Sequence, residues 1–255
     1  MEQNLTRPEE RIDDLQLNGL RLIQNPDWFC FGVDAVLLAD YAAKSIKKDA
    51  RVLDLCSGNG IIPLLLSQKS KAESIVGLEV QPPVAEMAGR SVRLNGLEEK
   101  IRIETGDLKD APERFGKSSF QYITCNPPYK EAGGGLTTNA DTTTLARHEI
   151  LCTLDDVVRV SSIILEPLGK LCMIHRPERL VELICLTRQY GLEPKRLRFV
   201  HPYPDKTATM ILLEAVRGGK PKLFLDPPLY IYQSVGVYSS EIDQIYGRTG
   251  QERQE

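Results

Sequence analysis

The sequence predicts an α/β fold: a seven-stranded, mostly parallel sheet with an antiparallel hairpin at one edge and helices on both faces. Three observations predict it. Short β-branched and apolar runs alternate with helix-length segments, the pattern of strands joined by crossover helices. Runs such as "SIVGLEV" (74–80) and "KLCMI" (170–174) are almost unbroken in hydrophobicity, as strands covered on both faces are. Two later runs, "KRLRFVH" and "TATMILLEAV", are separated only by "PYPDK", too short for a crossover, so they pair antiparallel.

The strands follow in order: "RVLDL" (51–55), "SIVGLEV" (74–80), "IRIET" (101–105), "FQYITC" (120–125) and "GKLCMIH" (169–175), then the hairpin pair. The helices between them carry their own punctuation. "QPPVAEMAGRSVRLNG" opens at Pro82 and Pro83, whose fixed φ suits a first turn, and stops at Asn95 and Gly96. "TLDDVVRVSSIIL" begins with Thr153 and has Asp156 three residues on, a capping box with Asp in place of Glu or Gln. "RPERLVELICLTRQYG" runs from Pro177 to Gly191. Residues 131–144, rich in Gly and Thr, form a long loop suited to a lid. We divide the 255 residues into an amino-terminal arm (1–30), a principal domain (31–236) and a polar, frayed carboxyl-terminal tail (237–255).

Composition excludes several classes. Apolar residues are 42% and charged residues 26% of the chain, as in an ordinary globular protein. No apolar run approaches the ~20 residues that span a bilayer, and the amino end is acidic and polar, so no membrane partner and a cytoplasmic location are expected. Six cysteines without a C-x-x-C pair, and only three histidines, point to reduced, mostly buried thiols and no metal. Cys172 and Cys185 sit within apolar segments. A formal charge of −3 argues against coating nucleic acid by bulk electrostatics. A local basic stretch remains: seven basic residues between Lys195 and Lys222 against two acids.

The first strand ends in "DLCSGNG". Asp54 closes the strand, and Ser57, Gly58 and Gly60 form a tight turn that lets backbone approach a ligand at the crevice beyond the strand ends. A dinucleotide fingerprint would place a third glycine at 63, where Pro63 stands. Glu79, 19 residues after Gly60, ends the second strand at the distance that sets an acid against ribose hydroxyls, with Val80 beside it. Asp107 and Leu108 follow the third strand, where a carboxylate can accept from an adenine amino group. Asp34, in "FGVDAVLLADY", suits the same cofactor cleft or a helix cap.

The fourth strand ends in "TCNPPYKEAGGG". With "DLCSGNG" before it, this segment resembles the class I S-adenosylmethionine-dependent methyltransferases, whose NPPY signature marks enzymes acting on a planar NH2 group: adenine N6, guanine N2 or a glutamine amide. The resemblance implies a Rossmann-like fold, S-adenosyl-L-methionine as cofactor with S-adenosyl-L-homocysteine as product, and a cofactor site comprising Asp34, Asp54, Ser57, Gly58, Gly60, Glu79, Val80, Asp107, Leu108 and Asn126. It also implies catalysis by Asn126, Pro127, Pro128 and Tyr129. An exocyclic amine is a poor nucleophile because its lone pair is delocalised. The Asn126 side-chain oxygen and the Pro127 carbonyl would accept its two N–H bonds and turn the lone pair towards the methyl group. The prolines stiffen the corner, and Tyr129 can stack on a flipped base.

The resemblance narrows further. "ERIDDLQLNGLRLIQNPDWFCFGVDAVLLADY", "ARHE" at 146–149 and "PLYIY" are similar to the bacterial tRNA (adenine-N6) methyltransferases that modify valine tRNA beside its anticodon, over about residues 8–235. Cys56 departs from the glycine common at that point of the turn. On this resemblance, Arg147 and His148 would anchor a substrate loop, and Lys195, Arg196, Arg198 and Lys206 would contact tRNA phosphates. A solvated helix start explains Arg147 and His148 equally well, and a wet charged face is the alternative for the basic stretch, with phosphate contact the favoured reading. Methylation of a glutamine side chain in a release factor, and a non-catalytic cofactor- and RNA-binding module, remain alternatives. Oligomeric state is not legible in the sequence.

Overall fold

The computed structural model describes residues 5–28, 30–128 and 152–248. Its centre is a nine-stranded sheet. The seven expected strands are β3 (Arg51–Leu55), β4 (Ser74–Glu79), β5 (Ile101–Thr105), β6 (Phe120–Cys125), β7 (Leu165–His175), β8 (Leu192–His201) and β9 (Met210–Arg217). From one edge inwards the order is β8, β9, β7, β6, β3, β4, β5. All run parallel except β9, which lies antiparallel between β7 and β8. The two additional strands, β10 (Phe224–Leu225) and β11 (Leu229–Tyr230), each pair with the outer side of β8. Two-residue ladders divided by Pro227 and Pro228 have too little alternation to register as strands.

Central strands bury both faces. Val52, Leu53 and Leu55 of β3 and Ile123 and Cys125 of β6 are fully inaccessible or nearly so. Helices α1 (Val33–Ala43) and α2 (Ile61–Lys69) cover one face; α5 (Leu154–Ile164) and α6 (Leu180–Gln189) cover the other. Helix α3 (Pro82–Leu94) starts on its two prolines, and Gly96 past its end takes φ +62°. The short helix α4 spans Ala111–Phe115. The predicted capping box of α5 forms: Asp156 N donates to Thr153 Oγ1 at 3.1 Å, and Thr153 N to Asp156 Oδ2 at 3.2 Å. Cys125 and Cys172 are buried, whereas Cys185 is exposed on α6, contrary to expectation, because that helix buries Leu183 and Thr187 instead.

The amino-terminal segment folds as a hairpin, β1 (Arg11–Asp14) with β2 (Arg21–Gln24), against α3. Ile23 N donates to Ser91 Oγ at 3.0 Å and Arg21 N to Asn95 Oδ1 at 2.9 Å. Arg90 of α3 pairs with Glu10, both side chains buried, and holds the Glu10 carboxyl below the usual carboxylate range. Towards the carboxyl end, residues expected to fray form β13 (Val237–Tyr238), which pairs with β12 (Tyr232–Ser234), and helix α7 (Ser240–Ile245). Ile242 and Ile245 repeat on one helical face and sink into the core beside α1, which the polar residues around them conceal in the sequence.

Candidate active site

The strand order reverses at β3, which has β4 on one side and β6 on the other. Connections leave this point in opposite directions, and a crevice opens beyond the strand ends. Asp54, next to last in β3, is fully buried and accepts from Thr124 Oγ1 of β6 at 2.6 Å. Among the described residues its Oδ2 and the Ser57 hydroxyl make no well-aligned hydrogen bond, although the hydroxyl lies close enough to the carboxyl to act on it. Burial pushes the Asp54 carboxyl up to about 7, against the opposing pull of the Thr124 and Ser57 hydroxyls.

The turn after β3 takes left-handed conformations at Cys56 (φ +58°), Gly58 (φ +55°) and Gly60 (φ +82°). Cys56 therefore occupies a position where glycine is the easier residue. The two glycines differ in purpose. A Cβ on Gly60 would come within 3.1 Å of Ala88 Cβ, so Gly60 allows α3 to pack closely. A Cβ on Gly58 would meet no described atom within 4 Å, so among the described residues Gly58 borders open space.

Glu79 ends β4 and is 5% exposed. Its Oε2 accepts from Gly58 N at 2.9 Å and its Oε1 from Gln81 N at 3.0 Å, which locks the carboxylate between turn and strand. Oε1 also accepts from Gln81 Nε2 at 3.2 Å, so Oε2 is the oxygen that keeps a further lone pair for a hydroxyl donor. Asp107, after β5, caps a single 3-10 turn by accepting from Lys109 N at 2.9 Å, and its carboxylate is half-exposed at the strand end. Val80 is half-buried and Leu108 buried.

Asn126 directly follows β6, with Pro127 buried and Pro128 half-buried behind it. Its Nδ2 donates to Asp34 Oδ2 at 3.0 Å. Asp34 does not cap its helix: the N-cap of α1 is Gly32, and no side chain caps it. Chain entry into α1 is pinned by Gln24, whose Oε1 accepts from Phe31 N at 3.1 Å and from Asn59 Nδ2 of the glycine turn at 2.9 Å. Asp34, Asp54, Ser57, Gly58, Gly60, Glu79, Asp107 and Asn126 thus gather at one end of the sheet. Tyr129, Arg147, His148 and the loop at 131–144 lie outside the described residues.

The basic stretch is not one surface. Arg198 is buried and forms a bidentate pair with Glu241, 2.7 Å for each bond, besides donating to the Pro227 carbonyl at 2.8 Å. Arg196 pairs with Asp226 at 2.8 Å and lies over the Tyr41 ring, 4.5 Å from its centroid. These two guanidiniums brace the carboxyl-terminal segment, and the expectation that they face phosphates does not hold. Lys195 lies towards the opposite end of β8 from the crevice and donates to the Lys220 carbonyl. Lys206 follows β8 on the crevice side, exposed and paired with Asp205.

Two features escaped the sequence reading. One is Gln24, an isolated amide with no motif around it. The other is a ladder of tyrosines, Tyr203 on Tyr232 (5.3 Å), Tyr232 on Tyr238 (5.0 Å) and Tyr238 on Tyr246 (6.3 Å), with the Arg248 guanidinium over the last two rings. The four tyrosines come from separate short segments, and no motif links them.

These residues suit a nucleoside-bearing cofactor. Glu79 and Asp107 can accept from hydroxyl and amino donors, and no described atom stands within 4 Å of where a Cβ on Gly58 would point. Among the described residues there is no cluster of three metal-binding side chains.

Comparison with known proteins agrees with this arrangement. A family model described as the methyltransferase small domain matches residues 31–177. A Porphyromonas gingivalis protein named tRNA1(Val) (adenine(37)-N6)-methyltransferase is 32% identical over 219 residues, spanning 82% of this chain and 84% of the relative. A protein of the same name from Aeromonas salmonicida is 28% identical, over 73% and 76% of the two chains. Among solved structures, a predicted O-methyltransferase of Agrobacterium tumefaciens superposes with a TM-score of 0.65 at 24% identity, over 84% of this chain and 95% of that one. Pyrococcus horikoshii TYW2, solved with MeSAdo, gives 0.58 at 15% identity, over 84% and 73%, a likeness of fold. A family match over more than half the chain, and a relative this similar over most of its length, lead to one affiliation: the chain belongs to the methyltransferase small-domain family of S-adenosylmethionine-dependent methyltransferases.

Proposed function

We propose that the enzyme methylates the exocyclic N6 of an adenine in tRNA, the adenine 3′ of the anticodon in valine tRNA, and that it does so in the cytoplasm, where that RNA resides. When bound, S-adenosylmethionine supplies an electrophilic sulfonium methyl. The chain's own residues hold and aim the nucleophile. The observation carrying this reading is the position of Asn126, a side-chain amide at the end of β6, in front of two prolines and at the same crevice as Glu79 and the Gly58 turn. Its side-chain oxygen and the Pro127 carbonyl are the two acceptors that an aromatic amine needs while its nitrogen pyramidalises. Glu79 is the candidate acceptor for ribose hydroxyls and Asp107 for an adenine amino group. The shared name of the relatives supports tRNA over a protein glutamine, and no described residue favours the latter.

Incubation with methyl-labelled cofactor and either total tRNA or a release factor, followed by mass spectrometry of nucleosides and peptides, tests the proposal. N6-methyladenosine in tRNA is the expected product. Label in the release factor alone, or full turnover by Asn126→Ala, rejects it.

A further inference from the structure

The bond between Asn126 and Asp34 has a direction, and direction matters for this chemistry. A side-chain amide is nearly symmetric in shape, so its neighbours alone decide which end is oxygen and which is nitrogen. An amine acceptor requires the oxygen end. Turned the other way, the amide would set its own N–H bonds against those of the substrate. An ionised carboxylate accepts hydrogen bonds and donates none, so Asp34 can bond only to the NH2 end of Asn126. The reversed amide would also press its oxygen against the carboxylate.

We infer that Asp34 is a positioning residue: its carboxylate holds the Asn126 amide with Oδ1 turned away from Asp34 and towards the substrate amine. This inference rests on the acceptor role proposed for Asn126. It assigns Asp34 to the orientation of that amide in place of the cofactor contact suggested by family resemblance. Three further observations support it. Asp34 lies in the first turn of α1, yet its carboxylate is not used to cap that helix. Gly32 has an ordinary extended backbone (φ −110°), so nothing in its conformation demands glycine; a Cβ there would come within 2.8 Å of Asp34 Oδ1, so glycine leaves the space into which the carboxylate folds back. The start of α1 is tied to the glycine turn through Gln24, which keeps Asp34 and the strand end in register although Asn126 lies 92 positions further along the chain.

Exchange of donor and acceptor tests the inference. Asn126→Asp alone sets two carboxylates face to face. Asp34→Asn with Asn126→Asp rebuilds the same bond with its polarity reversed and still presents an acceptor oxygen to the substrate. We expect Asp34→Ala to lower kcat by about 100-fold, the scale of a misplaced reacting group, with the cofactor dissociation constant changed by less than about twofold in calorimetry. We expect the exchanged pair to exceed Asn126→Asp in kcat by at least about tenfold. Gly32→Ala, which displaces the carboxylate without deleting it, lowers kcat in the same way while the melting temperature is kept. Two results overturn the positioning role while leaving the acceptor reading intact: weaker cofactor binding by Asp34→Ala with kcat unchanged at saturation, or an exchanged pair no better than Asn126→Asp. Full turnover by Asn126→Ala overturns both.

Discussion

Asp54→Asn should change how stability depends on pH. The Asp54 carboxyl sits fully buried in the sheet, with one oxygen bonded to Thr124 and the Ser57 hydroxyl close by. Burial raises it from an ordinary 3.8 to about 7. A carboxyl raised by folding contributes its full share below the unfolded value, and that contribution is lost as pH rises through the folded one. Here the window is about pH 4 to 7. A shift of about three units corresponds to up to about 4 kcal/mol of stability lost across it. Asparagine has the same shape, accepts the same Thr124 hydroxyl bond and does not titrate. Urea unfolding of both proteins at several values between pH 4.5 and 8.5 gives the difference directly. The variant should gain on the wild type steadily through the window and be the more stable protein at the alkaline end. A difference between the two that moves by less than about 1 kcal/mol over the range refutes the burial argument.

Other outcomes follow from the same geometry. Glu79→Ala removes the carboxylate that fixes the Gly58 amide and stands ready for hydroxyl donors; cofactor affinity should fall at least about tenfold by calorimetry, the scale of one charge-assisted bond. Arg198→Ala breaks the bidentate pair with Glu241 and should cost about 2–3 kcal/mol in urea unfolding, with tRNA affinity per folded molecule unchanged. Arg90→Ala leaves Glu10 buried without its partner and should destabilise by about 3 kcal/mol, seen first as faster amide exchange in the hairpin at 11–24.

Much of this architecture is legible because its signals are local. The buried run "SIVGLEV", the prolines that open α3 and the Thr153 box each predict their element without reference to the rest of the chain. Glu79 and Asp107 could be picked out because strand ends mark the crevice wherever the strands are recognised. What stayed hidden depends on distant partners. Arg196 and Arg198 look like a basic face until Asp226 and Glu241 arrive from later in the chain. The contact between Asp34 and Asn126, and the bridging role of Gln24, join segments that no periodicity links. Helix α7 is concealed because two isoleucines supply most of its burial.

The place of β9 in the sheet constrains the order in which a nascent chain can assemble. Strand β8 leaves the ribosome before β9, yet β8 touches β7 only through it, so β8 has no berth until residue 217 has been made. Throughout that interval β7 carries an unpaired rim of amides and carbonyls, the kind of margin that invites pairing with the wrong chain. Bracing of the far side by Glu241 comes later still. The sheet is therefore sealed only after residue 241 has been made, and a chain stopped at the end of the family-matched segment, residue 177, would display that rim permanently.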